Sequence, residues 1–220
     1  MNSASVSFRK TCVVKALLLC GFISSILYIA TDLIAALQWP GYSINSQTVS
    51  ELFAVNAPTR YIVVPAFIIY AFLIYAFGTG MWIVAGPTRF LRIASILIIS
   101  KEVLGLTGTL FFPIHLRGVE GNYMDVMHGI ITGAGVFLCM FPAIGFAATS
   151  FGKFFRLYSM ATIVVFIIFG ILAGLYGASM AANLPTPCMG IYERINIYGY
   201  MLWMMVLSGL LLKKHNMNQQ

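Results

Sequence analysis

The sequence predicts an all-α polytopic membrane bundle of six transmembrane helices, with both termini cytoplasmic and a short amphipathic helix in the first outer loop. Composition is the first reason: 60% of the 220 residues are apolar and only 9% are charged, whereas a soluble domain needs about a quarter charged to cover its surface. The second is that the apolar residues fall in six uninterrupted runs, each near the ~20 residues that cross a hydrocarbon core as a helix. The third is the unequal distribution of Lys and Arg between the connecting segments.

The runs lie at about 13–36, 61–85, 91–112, 126–148, 158–182 and 195–212, forming one integral membrane domain over residues 1–220. They are continuous, unlike the alternating ~10-residue segments of a membrane barrel. The first follows Arg9 and Lys10, as a signal peptide would. It is longer than the ~7–15 apolar residues of a signal core and lacks a small-residue cleavage site, so it is expected to be retained.

With the N-terminus inside, Arg9, Lys10, Lys15, Arg89, Arg92, Lys153, Arg156, Lys213 and Lys214 are cytoplasmic, and only Arg60, Arg117 and Arg194 fall outside. That asymmetry predicts the orientation and a plasma (inner) membrane location. Asp32, Glu51, Glu120, Asp125 and Glu193 gather on the outer side. The net charge of +7 is therefore a topology signal that also attracts anionic headgroups, and nucleic acid is excluded as a partner. The lipid bilayer is the expected partner, with a lipid or small-molecule ligand at the outer face. Only Cys188 of the four cysteines falls in an outer loop, so no intrachain disulfide is expected.

The first outer loop, residues 37–60, places Ser43 as a helix cap after Pro40-Gly41. Winding from Ile44 pairs Ser46 with Ser50 and Gln47 with Glu51 at i,i+4, giving an amphipathic interfacial helix.

The string Pro40-Gly41-Tyr42-Ser43 with Thr48-Val49-Ser50-Glu51-Leu52 is joined by Phe112-Pro113-Ile114-His115-Leu116-Arg117-Gly118, Asp125-Val126-Met127-His128, Glu193-Arg194-Ile195 and Leu202-Trp203. In these the chain resembles domain-of-unknown-function family 998 over nearly its whole length. The resemblance implies a small multi-spanning membrane protein and no particular chemistry.

Chemistry must then be sought in the polar residues. Asp125, His128 and Thr132 share one stripe of the fourth helix. Asp125 and His128 with His115 can hold a divalent metal, the one cofactor considered, or perform acid–base work. Glu51, Ser50, Glu193 and Arg194 complete a candidate catalytic cluster on the outer face. Asp-x-x-His alone is also consistent with a helix-start carboxylate favoured by the macrodipole. Glu193, Asn196, Tyr200 and Trp203 form a second polar stripe, and Ser25, Tyr28 and Asp32 a third, with Asp32 or Glu193 as partner for Arg194.

Lys101 and Glu102 stand near the middle of the third run, where a charge costs ~2.5–3.5 kcal/mol, so they must face the bundle interior. They are either a proton or ion path or a structural pair neutralised from another helix, for example by Asp32. Gly170 and Gly174 make a GxxxG surface suited to close packing inside the bundle; a homodimer through it is possible but not predicted. Walker, dinucleotide and nucleophile-elbow motifs do not occur in the sequence. Three functional classes remain: a lipid-directed or metal-dependent enzyme at the outer face, a small transporter or sensor using Lys101 and Glu102, and a non-catalytic assembly partner.

Overall fold

Six helices long and apolar enough to cross a membrane make up the computed structural model, which describes residues 3–119, 121–217 and 219. They are α1 (Ser3–Gln38), α2 (Arg60–Ala85), α3 (Arg89–Phe111), α4 (Tyr123–Thr149), α5 (Lys153–Ala181) and α6 (Met189–Met217). No strand occurs among the described residues. This is a multi-pass membrane protein. Apolar side chains cover its outside as well as its core, because the surrounding solvent is hydrocarbon: Leu37, Phe72, Phe111, Leu138, Phe154 and Leu175 are all exposed.

Neighbours in the chain are neighbours in space, and α6 closes the ring against α1 and α5. Thr11 Oγ1 donates to Gln219 Oε1 at 3.1 Å, so both termini lie at one end, here the terminal end. The α1–α2, α3–α4 and α5–α6 connections lie at the other, the loop end.

A membrane provides no hydrophobic drive between helices, so close approach and buried polar contacts must hold them together. Both are present. Ser25 Oγ donates to Met201 O (3.1 Å) and Ser208 Oγ to Leu18 O (2.6 Å), tying α6 to α1. Ser95 Oγ donates to Gly78 O (2.7 Å), and Trp203 Nε1 donates to Ser159 Oγ (3.0 Å). Around these lies the largest apolar cluster, with Trp203, Phe77, Leu18, Met81 and Leu207 fully buried.

The glycines that permit close approach are not those of the GxxxG string. A β-carbon on Gly80 would stand 2.8 Å from Leu17 Cβ and 3.2 Å from the Leu18 backbone nitrogen, whereas one on Gly174 would meet nothing within 4 Å. On Gly170 it would meet only Asn196, at 3.5 Å. The expected packing of Gly170 and Gly174 within the bundle is therefore corrected: both face outward.

Helix α4 is broken in a way the apolar pattern does not reveal. Residues Gly135–Met140 form a π-helical turn, and the Phe141 N–H reaches back to Val136 O. Pro142 follows at once. Its ring lacks an N–H and crowds the carbonyl four residues back, and a widened turn is one of the ways a helix absorbs this. The two halves then pack differently. Phe141–Thr149 meets α3 and α5, whereas Tyr123–Ala134 packs on α3 and has no buried residue. A gap is left between α4 and α5 toward the loop end, bordered by exposed Gly129 and Thr132 on one side and exposed Gly174 and Gly177 on the other.

The amphipathic interfacial helix is also corrected. Ser43 starts a turn, its carbonyl accepting from the Ser46 and Gln47 N–H groups. The only helix in the loop is one 3₁₀ turn, Val49–Phe53, with Val49, Glu51, Leu52 and Phe53 buried. It is a plug between the helices. Ser46 and Ser50 do not pair, while Gln47 Nε2 does donate to Glu51 Oε1 at 3.4 Å.

The two glycine sites give a direct comparison. Gly80→Ala should destabilise the protein by about 1–3 kcal/mol through overpacking, and Gly174→Ala should leave it unchanged or slightly firmer through better helix propensity. Thermal unfolding in detergent measures both; equal losses would contradict this packing.

Candidate functional site

Three buried polar groupings occupy the loop end, and the chain builds each from a short local motif. The deepest is centred on Arg194. Its guanidinium holds Asp32 with two parallel bonds, Nε to Oδ2 and Nη2 to Oδ1, both 2.9 Å. Asp32 is fully buried and also accepts from the Tyr198 hydroxyl. The remaining Arg194 donors reach Ile44 O and Gln47 O, each at 2.9 Å, Gly190 O at 3.2 Å and the Tyr42 hydroxyl at 2.7 Å. Burial raises the Tyr42 pKa from its ordinary value, so its hydroxyl stays protonated. Gly190 lets the loop sit this close, since a β-carbon there would collide with the Ile44 and Gln47 carbonyls.

The second grouping fastens the plug from the other side. Glu51 Oε2 accepts from the Thr48 N–H (2.8 Å) and hydroxyl (3.1 Å), locking the start of the 3₁₀ turn. Arg117 then grips the same carboxylate through Nε (2.6 Å) and Nη2 (2.8 Å). It also reaches Thr186 Oγ1 and Ser46 O, so all three loops meet here. The Glu51 hydrogen bonds push the Arg117 pKa further above its ordinary value, and the guanidinium carries its charge throughout. Glu193 Oε2 accepts the Val49 N–H at 2.5 Å.

The third grouping is a histidine–carboxylate dyad. Asn122 caps α4 by accepting from the Met124 N–H at 2.7 Å. Asp125, one turn in, accepts from the Asn122 N–H (2.9 Å), the His115 backbone N–H (2.7 Å) and His115 Nδ1 (2.9 Å). A carboxylate can only accept, so Nδ1 carries the hydrogen and the neutral ring keeps its lone pair on Nε2. His128 is held alike, its Nδ1 2.8 Å from Phe112 O. Neither Nε2 has a partner among the described residues.

Two cavities adjoin these groups. One, of about 430 Å³, is lined by Thr48, Ser50, His115, Arg117, Asp125 and His128, with Gly129 and Gly177 from the two sides of the gap. The other, of about 270 Å³, lies deeper, against Tyr28, Tyr70, Lys101, Glu102, Asn196 and Tyr200. Ser50 and His128 line both, so they stand at the junction. In the deeper one Lys101 Nζ is 3.1 Å from Glu102 Oε2, and its charge lies over the Tyr200 and Tyr70 rings at 5.3 and 5.9 Å.

The candidate residues are thus divided among different jobs. His115, Asp125, His128 and Ser50 share the outer cavity. Glu51 and Arg194 are surrounded by structural bonds and are not open to a ligand. His115, Asp125 and His128 do not converge as a metal-ligand set, and no group of three His, Cys, Asp or Glu side chains does so among the described residues. The dyad and the Phe112 carbonyl have turned these groups toward other partners. Lys101 and Glu102 neutralise each other; Asp32, expected as their partner, belongs to Arg194. Glu120 lies outside the described residues. Thr48, Asn122 and Thr186 were missed: their tasks depend on which loops meet, although Asn122 three residues before Asp125 is a legible capping signal.

Removing Arg194 would leave Asp32 buried without a counter-charge, a loss of about 3–5 kcal/mol. Arg194→Met should therefore unfold at much lower temperature, and adding Asp32→Leu should recover most of that stability. In the double variant the loop carbonyls remain unheld, so hydrogen exchange across residues 44–49 should stay fast. An equally protected loop would refute the anchoring role.

No curated protein and no solved structure matches the chain. The family model described as "Protein of unknown function (DUF998)" matches residues 22–209, well over half the length and every one of the helices and loops that build the two cavities, and the chain belongs to that family.

Proposed function

We propose that this protein is a plasma-membrane enzyme acting on the polar head of a lipid, with the loop end on the outer side of the membrane and both termini in the cytoplasm. The observation that carries the reading is His115: its Nδ1–H is held by Asp125 and its unpartnered Nε2 lies in a cavity that borders a gap to the lipid. An imidazole fixed in this tautomer is arranged as a general base. His115 takes a proton from water or a lipid hydroxyl as that oxygen attacks the head group, and Asp125 stabilises the imidazolium formed. As the bond to the leaving oxygen breaks, the proton held by His115 passes to that oxygen, and His128, with Nδ1 bound to the Phe112 carbonyl, accepts a hydrogen bond through Nε2 from the attacking or departing hydroxyl. Ser50 orients the head group at the junction.

Orientation rests on the Lys and Arg distribution. The gap between α4 and α5 supports a lipid in preference to a water-soluble substrate, because Gly129, Thr132, Gly174 and Gly177 leave a side opening at membrane depth. Transport through the Lys101 and Glu102 chamber draws less support. Beyond Tyr200 and Met201 the Trp203, Met204 and Leu207 side chains are fully or almost fully buried in the apolar cluster.

The test is lipid mass spectrometry on protein in nanodiscs made from membrane lipid of the producing cells. A lipid species should be consumed over time, and His115→Gln should slow that by ~10²–10⁴-fold, the usual contribution of a general base, with the unfolding temperature unchanged. Equal turnover by His115→Gln, or no lipid consumed by the unaltered protein, would overturn the reading.

A further inference from the structure

The deeper chamber carries polar groups for which the mechanism above has no use. Tyr70 and Tyr200 are 2% and 3% exposed; the Tyr200 hydroxyl has no hydrogen-bond partner among the described residues, and that of Tyr70 faces Glu102. Asn196 Oδ1 is buried and equally unpartnered. Lys101 donates once, to Glu102 Oε2, which leaves two ammonium hydrogens and the second Glu102 oxygen available. A buried polar atom left without a partner is costly in hydrocarbon. Together with the spare capacity of Lys101 and Glu102, these groups around one cavity of about 270 Å³ make a site with both donors and acceptors to offer.

The lining comes from α1, α2, α3, α4, α6 and the plug, and α5 contributes nothing to it. The uncovered side is therefore toward the α4–α5 gap, where Thr132 is exposed. A ligand that reaches the chamber from there travels through the hydrocarbon, so it has an apolar tail.

We propose that this chamber is a binding site for the head of an uncharged, hydroxyl-bearing membrane lipid, such as a diacylglycerol or a long-chain prenol. A hydroxyl both donates and accepts, matching Glu102 and Asn196 Oδ1 on one hand and Lys101 and the tyrosines on the other. Lys101 is already neutralised by Glu102 and the carboxyl of Glu193 also lines the chamber, so an anionic head would meet no free positive charge at membrane depth. A phosphate is thereby excluded from this site, whatever happens at the cavity above. The proposal rests on the unpartnered groups and not on the catalytic role of His115.

The protein in phosphatidylcholine nanodiscs is labelled with a diacylglycerol bearing a photoactivatable, alkyne-tagged chain, and the labelled residues are mapped by mass spectrometry. Labelling should fall on α4 and α5 residues flanking the gap. It should be reduced at least tenfold by excess unlabelled diacylglycerol or by prenol, whichever is the better ligand, and not by phosphatidic acid with the same chains. Tyr200→Phe, which removes only an unpartnered hydroxyl and so should not weaken the fold, and Asn196→Leu should each lower saturable labelling severalfold. His115→Gln should leave it unchanged, which separates this site from the proposed chemistry. Labelling that does not saturate, that phosphatidic acid competes equally well, or that survives both chamber substitutions would overturn the proposal.

Discussion

The bidentate contact between Arg194 and Asp32 is the constraint on which the loop end depends. It fixes α6 against α1 at membrane depth, where neither charge tolerates being alone. Because a guanidinium has more donors than one carboxylate can use, the surplus N–H groups hold the Ile44, Gln47 and Gly190 carbonyls and the Tyr42 hydroxyl. A polar, irregular segment can then lie among helices without unsatisfied backbone. Such backbone is tolerated in a membrane only where protein or a water-lined cavity satisfies it.

A buried ion pair is poor evidence of stability, since well-packed apolar side chains of similar volume often do as well. The loop end has a second clamp, between Arg117 and Glu51, directed at the opposite side of the same segment. Two clamps give the plug one registry, which places Ser50 at the junction of the two cavities and the Val49 N–H on Glu193. The opposite wall is built otherwise. From Tyr123 to Ala134 helix α4 buries no residue and leans mainly on α3, and the glycines across the gap have no neighbours to meet. One wall is held by two buried guanidinium clamps and the other by the Asp125–His115 contact at its outer end.

Much of this was legible in the sequence. Six apolar runs translate into six spans because hydrocarbon thickness sets helix length whatever the tertiary contacts. The Arg194 and Asp32 contact was one of two alternatives, since a lone buried Arg must find a carboxylate. Asp125 at the start of α4 was legible as well, although the dyad with His115 depended on a loop path. What failed had a common origin in tertiary context. Residues 44–50 carry helical spacing, but the Arg194 contacts to their carbonyls hold them in a turn. The π turn is announced only by Phe141-Pro142, which an apolar-run search passes over. Gly170 and Gly174 match a packing motif, yet a motif of small residues shows where a helix can be approached and not what approaches it.

The same accounting narrows the chemistry. Each described carboxylate has a partner: Asp32 with Arg194, Glu51 with Arg117, Glu102 with Lys101, Asp125 with His115, and Glu193 with the Val49 N–H. The four carboxylates fixed by an ion pair are poor nucleophiles or bases, because releasing them costs the interaction that placed them, and Glu193 lies in the deeper cavity away from His115. Histidine escapes this limit, since one ring nitrogen can be spent on position while the other remains available. At the loop end both imidazoles are bound through Nδ1, one to a carboxylate and one to a carbonyl, and both present Nε2. The ion-paired carboxylates shape the loop end, and the two imidazoles are the groups there that keep a ring nitrogen without a partner among the described residues.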